Sequence, residues 1–443
     1  MFNCTTEQDV LKAVKEHKVS FVQFWFTDVL GRLKGFSVTP SELEEGLAEG
    51  MGFDGSSVEG FARIHESDMI AKPDPTTFQL LPWRPSDLPV ARLICDILNP
   101  DGTPYDGDPR FALRRVLEKA ARRGYSCYLG PELEYFYFAD DKNVTPLDKG
   151  GYFDGLPIDS GVEMRRDTIF CMQKMGIEVE YSHHEVAPSQ HEIDLRYKEA
   201  LKMADIVMTY RTAVKEIARQ HGVYATFMPK PLADENGSGM HVHQSLFKDG
   251  ENVFFDPNDE FHLSTTARHY IAGIMKHARE LSAVTNQWVN SYKRLVPGYE
   301  APVYVSWARR NRSAMLRVPM YKPGKSKATR IEFRSPDPAC NPYLAFAVQI
   351  AAGLHGIENE YSLPGPVEQD IFEMDEKARA EAGITSLPGN LFEALQEVSA
   401  STLVKEALGE HIFGKFIENK KKEWDAYRIH VSRHELNTYL PVL

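Results

Sequence analysis

The sequence predicts an α+β protein made of a small N-terminal unit and a larger second domain. The first hundred residues read as strands around one helix, and a longer mixture of strands and helices follows a Pro/Gly/Asp-rich loop at 99–109. The regular strand–helix–strand spacing of a parallel sheet is missing, which argues against a doubly wound fold. The expected domains are 1–104 and 105–443.

In chain order, VSFVQFWFTD (19–28) alternates as a half-buried strand. DVLGRLKG (28–35) turns through Gly31 into FSVTP. PSELEEGLAEG (40–50) is a short helix with Ser41 near its start, acids in its first turn and Gly50 at its end. ARLICDIL (91–98) is a strand that runs into the boundary loop. Beyond it, helices are expected at 109–123, 161–176, 198–221, 266–286 and 340–359, and strands at 128–138, 177–184, 191–196, 223–228, 239–247 and 328–334. From about 366 the chain reads as helical and charged.

A formal net charge of −12 argues against sequence-independent nucleic-acid binding, which needs a basic face. The one dense basic run, Lys420-Lys421-Lys422, is flanked by Glu418 and Glu423 and reads as a solvated helix face. Five cysteines without C-x-x-C spacing argue against a disulfide framework or a zinc ribbon and for a reducing compartment. No run approaches the roughly 18 apolar residues of a membrane span, and no signal pattern opens the chain. The expectation is a cytoplasmic protein without a membrane partner.

The chemistry begins in GPELEYFYF (130–138). Residues two apart in a strand share a face, so Glu132 and Glu134 project side by side from an otherwise apolar segment. Buried together, they resist ionisation unless positive charge compensates them. HHEVAPSQHEIDLRY (183–197) reads as strand, turn and strand, and delivers Glu185 and Glu192. GSGMHVHQSLF (237–247) sets His241, His243 and Ser245 on one face, and ATRIEFRSP (328–336) does the same for Arg330, Glu332 and Arg334. Each motif alone has a plainer reading as a solvent face or a salt-bridged strand. Their number in one domain is the signal. Carboxylates with an imidazole suit Mg²⁺ or Mn²⁺, and five glutamates and a histidine exceed the needs of one ion. Two ions are what phosphoryl-transfer sites use.

YKPGKSKATR lacks the first glycine of a P-loop, and NGSGMH lacks the third glycine of a dinucleotide fingerprint. Cationic residues gather instead beside Gly and Pro: Arg294 in NSYKRLVPGYEAP, with Glu300, then Arg312 and Arg317 in ARRNRSAMLRVP, and Lys327. Arginines clamp carboxylates and phosphates, and with two metals and closable loops they describe an ATP-dependent ligase.

These segments, with FTDVLGRLKG, FDGSSVEGF, KPLADENGSGMHVHQSL and RIEFRSPDPACNPYLAFA, resemble type I glutamine synthetase over nearly the whole chain. The resemblance implies a β-grasp-like N-terminal domain that completes the neighbour's site, a catalytic domain with a curved antiparallel sheet, and a dodecamer of two stacked hexamers. It implies ATP-dependent joining of glutamate and ammonia through γ-glutamyl phosphate, with two Mg²⁺ or Mn²⁺ per site. By position, Glu134, Glu185 and Glu192 would hold one ion, and Glu132, His241 and Glu332 the other. Glutamate would meet Arg294, Arg312, Arg334 and the backbone at Asn236-Gly237. ATP would meet His243, Arg317 and Arg330, with Ser245, Lys327 and Glu180 nearby.

Asp54 of a neighbouring subunit would bind and deprotonate ammonium, and Glu300 would close over the site. Arg63 stands where the insertion-lacking branch has an arginine tied to glutamine feedback. ENEYSLPGP is short where the adenylylated branch carries its insertion, so Tyr361 reads as an ordinary residue. Two alternatives stand beside this reading. One is γ-glutamylation of another amine, disfavoured by the presence of Asp54 and Glu300. The other is a nitrogen-sensing scaffold that binds a transcription regulator through the apolar tail LNTYLPVL (436–443), and nitrogen-regulatory proteins are expected partners under either reading.

Overall fold

The computed structural model describes residues 2–58, 68–311 and 313–443; Arg63 and Arg312 lie outside the described residues. The alternation in FVQFWFT becomes strand β1 (Phe21–Thr27), followed by β2 (Leu33–Val38), β3 (Met51–Asp54), β4 (Asp68–Leu80) and β5 (Val90–Leu98). They form one sheet in the order β2-β1-β5-β4-β3, with β1 and β5 parallel. Phe24 enters a core with Val22, Leu93 and Ala71, while its neighbour Trp25 enters the core of the second domain with Trp83 and Ile94. Period-two alternation thus gives β1 two apolar faces, one for each domain.

The unit holds two described helices, not the one expected. Besides Leu43–Ala48 there is Glu7–Glu16, opened by a Thr6–Asp9 capping box and buried at Val10, Ala13 and Val14. Gly31, at φ 81°, makes the β1–β2 turn, and a Cβ there would stand 2.8 Å from Asn341 Cα. Only glycine meets both demands.

The second sheet contains β6 (Ser126–Phe138), β7 (Val179–His184), β8 (Gln190–Leu195), β9 (Lys198–Glu199), β10 (Tyr224–Thr226), β11 (Met240–Lys248), β12 (Glu251–Asn252), β13 (Tyr304–Ala308), β14 (Ala314–Arg317), β15 (Ile331–Phe333) and β16 (Thr385–Ser386). Its main path runs β16-β13-β14-β15-β11-β6-β8-β7. The sheet is mixed rather than antiparallel as expected, because β13 and β14 pair in parallel. The strand expected over 328–334 shrinks to three residues, and Arg330 and Arg334 flank it.

Apolar residues of helices Pro109–Arg122, Ala200–Gln220, Thr265–Thr285 and Pro342–Glu358 share one core with those of the sheet. The last two helices cross backbone to backbone, since a Cβ on Gly356 would stand 2.1 Å from His269 O. Lys420 is a correction. It is 1% exposed, with Nζ 3.6 Å from the Trp288 ring centroid and bonded to Glu423. The charge run looks solvated, but one of its three lysines packs inward. All five cysteines are buried and unpaired. No helix among the described residues is long and apolar enough to cross a membrane.

Candidate active site

Strand register assembles the site. Glu134 on β6 faces Glu192 on β8, and Glu132 on β6 faces His241 on β11. His243 faces Glu332 on β15, which faces Arg317 on β14. Glu185 follows β7, in a tight turn where Ser189 takes φ 58° and Glu185 N donates to Gln190 O. These side chains, His243 excepted, line a cavity of about 310 Å³.

The cavity holds six carboxylates (Glu132, Glu134, Glu185, Glu192, Glu300, Glu332) against three guanidiniums (Arg294, Arg317, Arg334). The imbalance is local. Glu332 lies 2.5 Å from Arg317 Nε and 3.6 Å from Arg334 Nη1, and Glu132 Oε1 accepts from His243 Nε2 at 2.7 Å. Burial opposes ionisation of both, yet His243, helped by His241 and, for Glu332, by Arg334 and Arg317, holds both carboxyls below their ordinary range. Across the cavity, burial and then Glu134 push Glu185 up to about 9. Burial, Asp194 and the other carboxylates push Glu192 well above its ordinary value.

That half of the cavity lacks positive charge and presents hard oxygen donors, so its chemistry fits a divalent cation. Two groups have one ligand atom each within 4.8 Å of the others: Glu132, His243 and Glu332, and His183, Glu185 and Glu192. His241, expected to be the imidazole of the first group, stands 3.5 Å from Glu132 and 3.7 Å from Glu332 through Nδ1.

A third group, Asp148, His184 and His191, is equally tight but unsuited to a metal. His184 directs Nε2 to Asp148 Oδ1 at 3.0 Å and Nδ1 to the Glu185 carbonyl at 2.6 Å, both pure acceptors, so it carries two protons. Burial opposes that charge, but Asp148 raises the His184 pKa. His191 Nδ1 faces the donor Arg165 Nη1 at 2.8 Å, which leaves its proton on Nε2. This network braces the hairpin behind Glu185 and Glu192, and Asp148 also accepts from Ser189 N at 2.9 Å.

The glycines of NGSG serve packing. A Cβ on Gly237 would stand 2.3 Å from Pro229 O, and one on Gly239 would stand 2.6 Å from Arg294 Nη2. Arg294 is 3% exposed and donates to the carbonyls of Ser335, Pro336 and Arg334. Asn236 Nδ2 donates to Glu300 Oε2 at 3.2 Å, with Glu300 at the unfavourable φ of 56°. Arg330 Nε reaches His243 Nδ1 at 3.1 Å.

Ser245, Lys327 and Glu180 stand away from the cavity lining. Lys327 bonds Gly250 O, and Glu180 turns towards Arg196. Asp54 lies exposed in the small domain, its carboxylate on Ser56, and does not line this chain's cavity. Sequence reading missed Tyr152, Tyr181, His183 and Gln190 among the lining residues. Gln190 Nε2 holds Glu134 Oε2 at 2.8 Å. His183 was legible only as the neighbour of His184 in HHE.

Comparison with known proteins shows the family. The family model for the glutamine synthetase catalytic domain matches residues 106–439, and that for the glutamine synthetase β-grasp domain matches residues 18–100. The chain is 52% identical to a glutamine synthetase of Methanosarcina mazei, covering 100% of this chain and 99% of the relative. It is 50% identical to one of Thermotoga maritima, covering 98% and 99%. Among solved structures, a GmaS/ADP complex superposes with a TM-score of 0.89 at 31% identity, covering 97% of this chain and 99% of that one. A Plasmodium falciparum glutamine synthetase gives 0.87 at 26%, covering 98% of each. On its matched sequence, its fold and its acid-lined cavity, the chain belongs to the glutamine synthetase family.

Proposed function

We propose that this chain joins L-glutamate and ammonia to L-glutamine with consumption of ATP, in the branch that lacks the adenylylation-associated insertion. The observation that carries the reading is the cavity in which six glutamates outnumber three arginines, with two ligand-forming groups whose members, His243 excepted, line it. Two Mg²⁺ or Mn²⁺ ions fit it, one near Glu134, Glu185 and Glu192 and one near Glu132, His241 and Glu332, with His243 beside the second. Bound there, such ions neutralise phosphate charge and polarise the transferring group.

The chain's own residues do the rest. Arg317 and Arg330 hold phosphate oxygens as charge develops, with His243, Ser245, Lys327 and Glu180 further along the nucleotide. Arg334, Arg312, Arg294 and the backbone at Asn236-Gly237 orient glutamate, whose γ-carboxylate becomes an acyl phosphate. Glu300, on the loop after Gly298, covers that intermediate against water. Asp54 of a neighbouring copy binds ammonium and takes its proton, because ammonia and not ammonium is the nucleophile.

The test is glutamine formation from glutamate, ammonium and ATP. Chelation is expected to abolish it and Mg²⁺ or Mn²⁺ to restore it. Faster ADP release with ethylamine than with ammonium would move the substrate to another amine. Asp54→Ala is expected to raise the KM for ammonium at least about tenfold while the KM for ATP stays within about twofold; equal changes in both would remove the assignment.

A dodecamer is proposed on the resemblance, and apolar side chains such as Phe153, Leu156, Leu440 and Leu443, exposed on the single chain, would gain by burial between copies. Sedimentation at the monomer mass would exclude it. Feedback through Arg63 rests on the resemblance alone, and a glutamine titration of Arg63→Ala decides it: inhibition unchanged from wild type removes the role.

A further inference from the structure

His183 is 6% exposed, and its strand partner is Glu192. Its Nδ1 lies 3.1 Å from the carbonyl oxygen of His184. A carbonyl only accepts, so the imidazole proton sits on Nδ1. The lone pair of Nε2 then faces Glu192 Oε1 at 3.3 Å, while Glu185 Oε1 stands 3.4 Å from Nδ1. A nitrogen lone pair against a carboxylate oxygen is repulsive unless a proton or a cation lies between them, and 3.3 Å is longer than the bond of about 2.7–2.9 Å that a shared proton would make, and longer than the 3.0 Å from His184 Nε2 to Asp148. The separation fits a metal: two neighbouring ligands on an octahedral ion with bonds of about 2.1 Å stand about 3 Å apart. A metal-binding histidine also ordinarily donates its other N–H to a carbonyl or carboxylate, as His183 does.

We propose that Nε2 of His183 is a ligand of the ion held by Glu185 and Glu192. This rests on the reading that the cavity takes two divalent ions. His183 then supplies the only neutral nitrogen in a group whose other members are carboxylates, and so makes that position softer than an all-oxygen site. The ion there is expected to shift its preference from Mg²⁺ towards Mn²⁺.

The test uses the full-length protein with Mn²⁺ as probe. Equilibrium Mn²⁺ binding to His183→Ala is expected to show one ion weakened about 10- to 100-fold and the other unchanged. Pulsed electron paramagnetic resonance of Mn²⁺-loaded His241→Ala/His243→Ala protein, which keeps His183, is expected to retain ¹⁴N coupling; adding His183→Ala is expected to remove it. A residue that only braced the hairpin would shift affinity but leave no such coupling to lose. Absence of ¹⁴N coupling in the double variant overturns the ligation, as does wild-type affinity for both ions in His183→Ala. If Glu192→Gln then still loses an ion, His183 and Glu192 share a proton instead, and the two-ion reading stands. Wild-type protein that binds no Mn²⁺ overturns both.

Discussion

Glu134→Ala is expected to lower glutamine formation by more than about a hundredfold while the chain still folds. The carboxylate sits where the two halves of the cavity meet. Its Oε2 accepts from Gln190 Nε2 at 2.8 Å and from Gly239 N at 3.0 Å, and its strand partner is Glu192. Those bonds fix its direction, as supporting partners do for metal ligands, where losing even a support costs about 10- to 100-fold. Truncation also strands two donors, at about 1–3 kcal/mol each. Glu134→Gln separates the two effects, because its amide oxygen can still accept those bonds while the charge is gone. Both variants are expected to be inactive. Turnover within about twofold of wild type in either would contradict a role for this carboxylate in the reaction.

The largest effect on stability is expected from Arg110→Met, at about 3–5 kcal/mol. Arg110 is 3% exposed and opens the helix Pro109–Arg122. Its guanidinium meets Asp74 at 2.8 Å, Asp96 at 2.5 Å and Asp205 at 3.0 Å. Asp74 and Asp96 belong to β4 and β5 of the small sheet, and Asp205 to the helix Ala200–Gln220, where Tyr343 also donates to it at 2.7 Å. Methionine fills the volume but leaves Asp74 and Asp205 without this guanidinium and Asp96 with Arg114 alone, at 2.8 Å. Breaking such a network is costly because the uncompensated charge remains. The measurement is the urea midpoint of the first unfolding transition. A change below about 1 kcal/mol would show that the network does not hold the two sheets together.

Parts of the site were legible from spacing alone. Glu132 and Glu134 lie two apart on a strand expected at 128–138 and found at Ser126–Phe138, and His241 and His243 repeat the pattern on β11. The helix Glu7–Glu16 went unread although Thr6 and Asp9 mark its start; with acid at the third position in place of Glu or Gln, it carries a weaker form of the usual signal. Strand β4 was hidden by Pro73 and Pro75, which read as breakers. Lys420 departs from the expected solvated face because charge pattern reports only local sequence and says nothing of Trp288, 132 residues earlier, whose ring receives the ammonium. His183 is not legible in HHE because two adjacent histidines there point to opposite faces, and only the strand pairing with Glu192 shows which one meets the acids.

What the amino-acid order determined was the stock of chemical groups and their faces: acids and imidazoles at period two, glycines at the tight approaches, and a family resemblance spanning the chain. What the tertiary structure alone decided was which groups meet. β11 lies between β15 and β6, and β6 next to β8. Those neighbours are set by packing the sheet against its helices, an interaction between residues far apart in the chain, and no local period encodes it. The small domain's Asp54 makes the same point from the other side. Its chemistry was legible, but its fold carries it away from its own chain's cavity, so within one chain the acids of the large sheet stand without it.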